Sequence, residues 1–341
     1  MGAGRIAGEQ RRDMAATCTA ELRIATRASR LALVQAGIVA EALRRSSGVS
    51  PSIVEISTKG DAARDRSIAA IGGDGVFVKE LEAALLEGRA DIAVHSLKDL
   101  PTERTPGVDA GVTLERADAR DVLISRDNRF ASIADLPVGA VVGTSSLRRR
   151  AQLANVRPDL DFRDIRGNVD TRVRKVLDGE YDAAVLAFAG MERIGLLGLV
   201  GGGSPLALDV FVPAAGQGAL FVQRRTNDER CTDLIAPLDH APTTAATSVE
   251  RIFLRAVGGG CLAPVGVHAA AHADGSHPAS HPDGALMTIQ AFIGSPNGDV
   301  AIRLSSTVAA NDAEARAATM ADEMLAAGGR EIIARHREIG A

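Results

Sequence analysis

The chain has 341 residues, a formal net charge of −4 and 46% hydrophobic residues, which reads as a soluble globular protein of two or three domains at about 100–200 residues each. No run approaches the ~20 apolar residues that span a bilayer, and residues 1–21 hold no apolar stretch of a secretory signal, so no membrane association and a cytoplasmic setting are expected. Three widely spaced cysteines (Cys18, Cys231, Cys261) argue against a disulfide scaffold, and a single Tyr with no Trp leaves few stacking surfaces for single-stranded nucleic acid.

Residues 1–21 read as a loose N-terminal extension. A short apolar run predicts a strand over 22–26. Leu31, Val34, Ile38 and Ala42, with Val39 and Leu43 beside them, predict a helix over 31–45. A strand follows over 53–57. A helix over 77–87 puts Val78, Leu81 and Leu85 on one face, with Gly88 as its stop, and a strand follows over 91–95. This βαβ rhythm implies a parallel or mixed sheet flanked by helices. It repeats as a strand over 138–143, a helix over 147–154 and a short extended piece ending at Ile165. A helix over 168–178 is N-capped by Asn168, with Val169, Val173 and Val176 inward and Gly179 as its stop, and a strand follows over 183–188. After the Gly-rich stretch 201–204, a strand over 220–224 is expected to rejoin the first unit. The last hundred residues predict a helix over 249–257, strands over 265–272, 287–293 and 300–307, and a helix over 312–327: a small α+β domain with an antiparallel sheet. The polar piece 274–283 reads as a loop insertion.

Four constellations could carry chemistry. Between 144 and 175 stand nine cations (Arg148, Arg149, Arg150, Arg157, Arg163, Arg166, Arg172, Arg174, Lys175) against four Asp. A solvated helix face with local ion pairs would explain them. Arg148 and Arg149, however, follow Gly143-Thr144-Ser145-Ser146, a strand-to-helix turn, and Arg166-Gly167-Asn168 opens the next helix. Backbone N–H groups at such turns bind anions, and Arg grips carboxylate bidentately. A small polyanion in a cleft is therefore expected rather than a nucleic-acid groove. Thr26-Arg27-Ala28-Ser29 also lies at a strand end, where open α/β sheets bind ligands. His95-Ser96-Leu97-Lys98-Asp99-Leu100-Pro101 follows a strand too. Its Lys–Asp pair could stabilise a cation and manage a proton, although a turn closed by Asp99 and Pro101 would serve structure alone. Last, Gly258-Gly259-Gly260-Cys261 leaves a thiol with little steric cover, either as a nucleophile or attachment point or as a buried small hydrophobe. The seven His show no ligand spacing, so no metal site is expected.

Taken together, these stretches resemble the porphobilinogen deaminase (hydroxymethylbilane synthase) family. The likeness runs through LRIATRASRLAL (22–33), GVFVKELEAALLEGRADIAVHSLKDLPT (75–102), GTSSLRRRAQL (143–153), IRGNVDTR (165–172), YDAAVLAFAGMERIG (181–195), PAAGQGAL (213–220) and GGGCLAPVGVHA (258–269). The resemblance implies an α/β fold of two lobes like type II periplasmic binding proteins, plus a C-terminal α+β domain with a three-stranded antiparallel sheet. The divisions it implies are 22–114 with 216–234, 119–210, and 240–341.

It also implies a transferase of porphyrin (haem) biosynthesis that joins four porphobilinogens into linear hydroxymethylbilane, releasing four ammonia. The primer it implies is a dipyrromethane cofactor held by a thioether to Cys261. Asp99 matches the catalytic carboxylate, which would stabilise the azafulvenium cation left by ammonia loss and manage the proton. Lys98, Arg27, Ser29, Ser146, Arg148, Arg149, Arg172, Gly167 and Asn168 match cofactor-binding positions. Arg27, Arg149, Arg166, Arg172, Arg193 and Phe77 match substrate-binding ones. The family implies a monomer. Three positions depart from its pattern: Asp74 where Lys is common, in a loop thought to cover the site, and Gln223 and Gly258 where Glu is common. The competing classes are a non-enzymatic anion-binding protein with similar lobes, which leaves GGGC unexplained, and a nucleic-acid binder using 144–175, which the acidity and scarce aromatics disfavour.

Overall fold

The computed structural model describes residues 21–57, 75, 78–260, 263–272 and 285–340. The extension 1–20, Asp74, Phe77, Cys261 and the 274–283 insertion lie outside the described residues.

The first sheet takes β1 (Arg23–Arg27), β2 (Ser52–Ile56), β3 (Ile92–Ser96), β4 (Ala110–Thr113) and, from far along the chain, β10 (Leu220–Arg224), in the order β2-β1-β3-β10-β4. β1, β2 and β3 are parallel, and β10 runs antiparallel to both β3 and β4. The helix α1 (Arg30–Ser47) covers it. The Ser29 hydroxyl accepts from the Ala32 N–H at its start, and Gly48 ends it in a left-handed conformation (φ 71°). Its Ala36, Val39 and Leu43 are buried against Ile24, Ile92 and Val222. A second helix, α2 (Lys79–Leu86), buries Leu81 and Leu85 with Ala25 and Ala93.

The second sheet repeats the topology with β5 (Asp121–Ser125), β6 (Val141–Gly143), β7 (Asp161–Arg163), β8 (Ala183–Ala187) and β9 (Ser204–Pro205), in the order β7-β6-β8-β5-β9. β6, β7 and β8 are parallel, while β5 is antiparallel to β8. In both sheets the second, first and third parallel strands lie side by side with an antiparallel strand beyond. The helices here are α3 (Leu147–Val156), α4 (Val169–Leu177) and the short α5 (Phe188–Arg193). After the return strand β10 comes α6 (Glu229–Ile235).

The third unit has α7 (Ala241–Ala256), the antiparallel sheet β11-β12-β13 (Val265–Ala271, Leu286–Gly294, Ala301–Ala309), α8 (Ala313–Met324) and α9 (Arg330–Gly340). Its core gathers Phe253, Val267, Ile289, Ile293 and Met320.

Several expected elements change. The strand expected over 138–143 starts only at Val141, because Gly139 turns the chain (φ 75°) and Val138 is 83% exposed. The helix expected over 249–257 begins eight residues earlier, at Ala241. Its first half, rich in Ala and Thr, looks polar in sequence, yet Thr243 and Thr247 are buried and the Thr247 hydroxyl donates to the Thr243 carbonyl. The last expected helix stops at Met324, where a wide turn over Leu325–Gly329 with Gly328 at φ 108° leads into α9. Asn168 occupies the cap position of α4, but its side chain makes no capping bond.

The chain crosses between lobes after β4 and returns before β10, and the crossings pair: Ala117 N donates to Gly218 O at 3.3 Å and Leu114 N to Leu220 O at 3.1 Å. Gly218 sits at φ 89°, and a Cβ there would stand 2.5 Å from the Ala117 carbonyl oxygen. Gly218→Ala should therefore lower unfolding stability by about 1–3 kcal/mol in urea titration; unchanged stability would mean that the crossing relaxes freely.

Candidate active site

The carboxyl ends of the parallel strands carry the expected residues. Arg27 ends β1, and Ser29 caps α1. Beyond β3, Leu97–Asp99 form a single 3₁₀ turn, with Leu97 buried beside Val78, Leu100 and Ala219. Beyond β6, Ser146 caps α3 by accepting from Arg149 N, and Ser145 donates to Ile165 O at 2.9 Å. Beyond β7, Gly167 takes φ 107° ahead of α4, and Arg193 closes α5 after β8.

At the centre is a residue the sequence reading did not single out. Asp121, at the start of β5, has no solvent exposure. Arg148 donates to its Oδ2 at 2.6 Å, and Arg149 donates to its Oδ1 through Nε (3.0 Å) and Nη2 (2.8 Å). The Gln217 amide adds a third donor at 3.0 Å. Burial alone would push the Asp121 carboxyl up, but the two guanidinium groups outweigh it and hold the group well below the usual carboxylate range. Arg148 also donates to Val212 O at 2.8 Å. Arg148 is thus committed to Asp121 and the return crossing, which departs from the expectation of a ligand-facing arginine. Arg149 keeps Nη1 without a bond among the described residues.

Gln217 extends the network. Its Oε1 accepts from Lys98 Nζ at 3.3 Å. Burial pushes the Lys98 ammonium down to about 8, Asp99 draws it back up, and Arg149 opposes. Arg172 donates through Nε to Gly167 O at 2.8 Å, and its guanidinium is pushed down to about 10 by burial and then by Arg149 and Arg166. Charge interactions therefore link Lys98 to Asp99 and Arg149, and Arg172 to Arg149 and Arg166. Arg166 also holds Asp164 at 2.8 Å, and Arg193 donates to Gly218 O at 2.7 Å. The remaining basic residues of 144–175 partly follow the local ion-pair reading: Arg157 pairs with Asp159, and Arg163 with Asp161.

Other candidates have structural roles. His95 is buried, and burial pushes its imidazole down to about 4, so it is neutral at pH 7. Its Nε2 donates to Gln223 Oε1 at 2.9 Å, because the Gln223 amide nitrogen is used on Glu82 and the Val108 carbonyl. A carboxylate at 223 would stand against Glu82. Burial pushes the Cys231 thiol up to about 12, which leaves it an inert small hydrophobe. Among the described residues no three His, Cys, Asp or Glu gather as metal ligands. Gln217 stands within PAAGQGAL (213–220), but nothing in the sequence marks its partners ninety or more residues away.

Fold and site define a two-lobed α/β protein with a buried cationic cluster where the strand ends of both lobes meet. Residues 22–233 match the family model "Porphobilinogen deaminase, dipyromethane cofactor binding domain", and 244–326 match "Porphobilinogen deaminase, C-terminal domain". The chain belongs to the porphobilinogen deaminase (hydroxymethylbilane synthase) family, enzymes of tetrapyrrole biosynthesis that carry a dipyrromethane cofactor.

Among solved structures, it is similar to YhfZ from Shigella flexneri (16% identity, 70% of this chain and 92% of that chain, TM-score 0.34). It is also similar to the second substrate binding domain of a putative amino acid ABC transporter from Streptococcus pneumoniae (13%, 64% and 91%, 0.38). A third is the ancestral amino acid-binding protein AncCDT-1 (16%, 64% and 87%, 0.34). Likenesses this distant decide nothing about function.

The cluster fits a polycarboxylate cofactor: Lys98 and Arg172 are partly buried cations whose pKa values are pushed down by desolvation and by neighbouring arginines.

Asp121→Asn would leave two buried guanidinium groups without their counter-charge and should cost ~3–5 kcal/mol at pH 7. Because the folded carboxyl is held below its unfolded value of about 3.9, the wild type has this stability above about pH 4 and loses it as pH falls further. The gap between wild type and Asp121→Asn in urea unfolding should accordingly narrow at pH 3.5; a gap constant from pH 7 to 3.5 would refute the assignment.

Proposed function

We propose that this chain polymerises four porphobilinogens head to tail into hydroxymethylbilane, with Asp99 as the catalytic carboxylate and Cys261 as the thioether anchor of the cofactor. The observation that supports this reading is the hydrogen-bonded chain from Arg149 through Asp121 and Gln217 to Lys98, next to Asp99, with Arg172 near enough to Arg149 and Arg166 for both to lower its pKa. When bound, dipyrromethane supplies the terminal pyrrole carbon to which the first substrate unit adds.

In each cycle the substrate's aminomethyl C–N bond breaks and ammonia departs after taking a proton. A C–C bond forms, and one proton leaves the newly bonded pyrrole carbon; water finally releases the product. Asp99, as a carboxylate, faces the pyrrole N–H of the electron-poor azafulvenium and offsets its positive charge. Protonated, it donates to the leaving amine and then takes back the proton lost at the new bond. The substrate's acetate and propionate groups, and those of the cofactor, are gripped by Lys98, the Nη1 of Arg149, and the Nη groups of Arg172, with Arg166 at the edge. Ser29 and Ser146 each accept a helix N–H and keep their own O–H to donate. Gly167 and Asn168 present backbone donors at the start of α4. Arg27 and Phe77 complete the substrate positions, while Arg193 acts from the Gly218 carbonyl.

The reading includes three working domains (22–114 with 216–234, 119–210, 240–341) in a cytoplasmic monomer that uses neither nucleic acid nor membrane. No described helix is long and apolar enough to cross a membrane.

Intact mass is the direct test. The native chain should carry an excess of one dipyrromethane, and Cys261→Ala none. A native chain that gains no mass even after incubation with porphobilinogen would return the protein to the anion-binding class. Asp99→Ala should keep the cofactor mass yet lose nearly all turnover, on the order of 10²-fold or more; near-normal turnover removes Asp99 from the mechanism.

A further inference from the structure

We propose that Arg251, on the C-terminal domain, is a positioning residue that sets the placement of the Lys98–Asp99 turn by clamping the two carbonyls that follow it. This rests on the reading of Asp99 as the proton-handling carboxylate. Arg251 Nη1 donates to Leu100 O at 3.0 Å, and Nη2 donates to Pro101 O at 2.5 Å. Both carbonyls belong to the chain leaving the 3₁₀ turn Leu97–Asp99, which runs without regular structure until β4 at Ala110.

Three features make the contact decisive for placement. First, the turn has little solid backing: a cavity of about 400 Å³ opens behind it, lined by Leu97, Leu100 and Pro101 on one side and Thr247, Ser248 and Arg251 on the other. Packing fixes the buried Leu97 and Leu100 side chains, but the exit carbonyls depend on hydrogen bonds. Second, a guanidinium is planar and presents parallel donors, so two adjacent carbonyls fix an orientation as well as a distance. Third, the other end of the turn is tied to the return crossing, through Leu97 N to Ala219 O at 3.0 Å and Lys98 to Gln217.

The helix that carries Arg251 is itself anchored one residue earlier. Glu250, fully buried, holds Arg116 at 2.6 Å and accepts from Gly216 N and Ala269 N. The same helix ends at Ala256, and Gly258, Gly259 and Gly260 then lead to Cys261. One helix thus clamps the turn that bears Asp99 and ends five residues before Cys261 in the sequence.

The test uses the full chain with its cofactor attached. In Arg251→Met the cofactor mass should match wild type. The kcat should fall about 10- to 100-fold, the penalty expected for displacing a catalytic group by about an ångström, with KM nearly unchanged. Amide hydrogen exchange over 97–103 should accelerate. Arg251→Lys, which offers an ammonium to two carbonyls, should recover part of kcat. Wild-type kcat in Arg251→Met, with only a lowered unfolding midpoint, would make the clamp merely structural and overturn the proposal. Should Arg251→Met fail to fold, Arg251→Lys decides alone: reduced kcat at unchanged KM supports the clamp, and wild-type kcat overturns it. Failure of the Asp99 reading is separate, because it appears as near-normal turnover in Asp99→Ala whatever Arg251→Met does.

Discussion

A carboxylate buried without any exposed surface must either take a proton or find cations, and Asp121 has found two guanidinium groups and an amide. Much of the site hangs on that choice. Arg148 reaches past Asp121 to the Val212 carbonyl, so the start of α3 is tied to the returning crossing. Gln152, one turn further on, accepts from Val212 N and donates to Val212 O, which repeats the tie. Gln217 bridges from Asp121 to Lys98, and so a side chain of the second lobe reaches the Lys98–Asp99 turn of the first through a single residue of the crossing. Desolvating three charges costs several kcal/mol per ion, and their attraction roughly repays it. The arrangement contributes less to net stability than to geometry: it holds Arg149 and Lys98 in register from opposite sides of the junction.

Strands with an even apolar pattern and helices with clear stops were legible in the sequence, and so was the return of 220–224 to the first sheet. What was not legible follows physical causes. β4 contains a glycine that fits against Phe221, where a Cβ would come within 2.5 Å of the ring, so its sequence lacks a strand's usual bulk. β5 is buried on both faces and shows no alternation, and β9 is two residues ending in Pro. α9 follows a glycine pair that breaks the preceding helix in a wide turn. In the site, the strand-end residues were legible because turn chemistry and charge mark them locally. Asp121 was not, since an acidic residue ahead of an apolar run reads as a strand's polar start. Arg116 and Glu250 stand 134 positions apart, and only folding brings them together.

The three units share no single core, yet each is fastened to the others. α1 of the first lobe places Leu31 and Val34 against the core of the second, and Arg30 donates to Ile194 O at 2.9 Å. α3 packs Ala151 against Val212 and Phe292, so the second lobe rests on the third unit's sheet. The buried Arg116–Glu250 pair joins the outward crossing to α7.

The basic residues differ in how far nearby carboxylates neutralise them. Arg157 and Arg163 each meet an Asp two residues away, and such neighbours have little attraction left for a ligand. Arg148 and Arg149 share one buried carboxylate, which leaves that trio with a surplus positive charge. Among the described residues Arg172 meets only a backbone carbonyl, and burial, Arg149 and Arg166 push its pKa down. Lys98 lies between Asp99 and the arginines, with burial again pushing its pKa down. Keeping these groups charged in a partly buried setting costs free energy, and an anion placed among them would offset that cost.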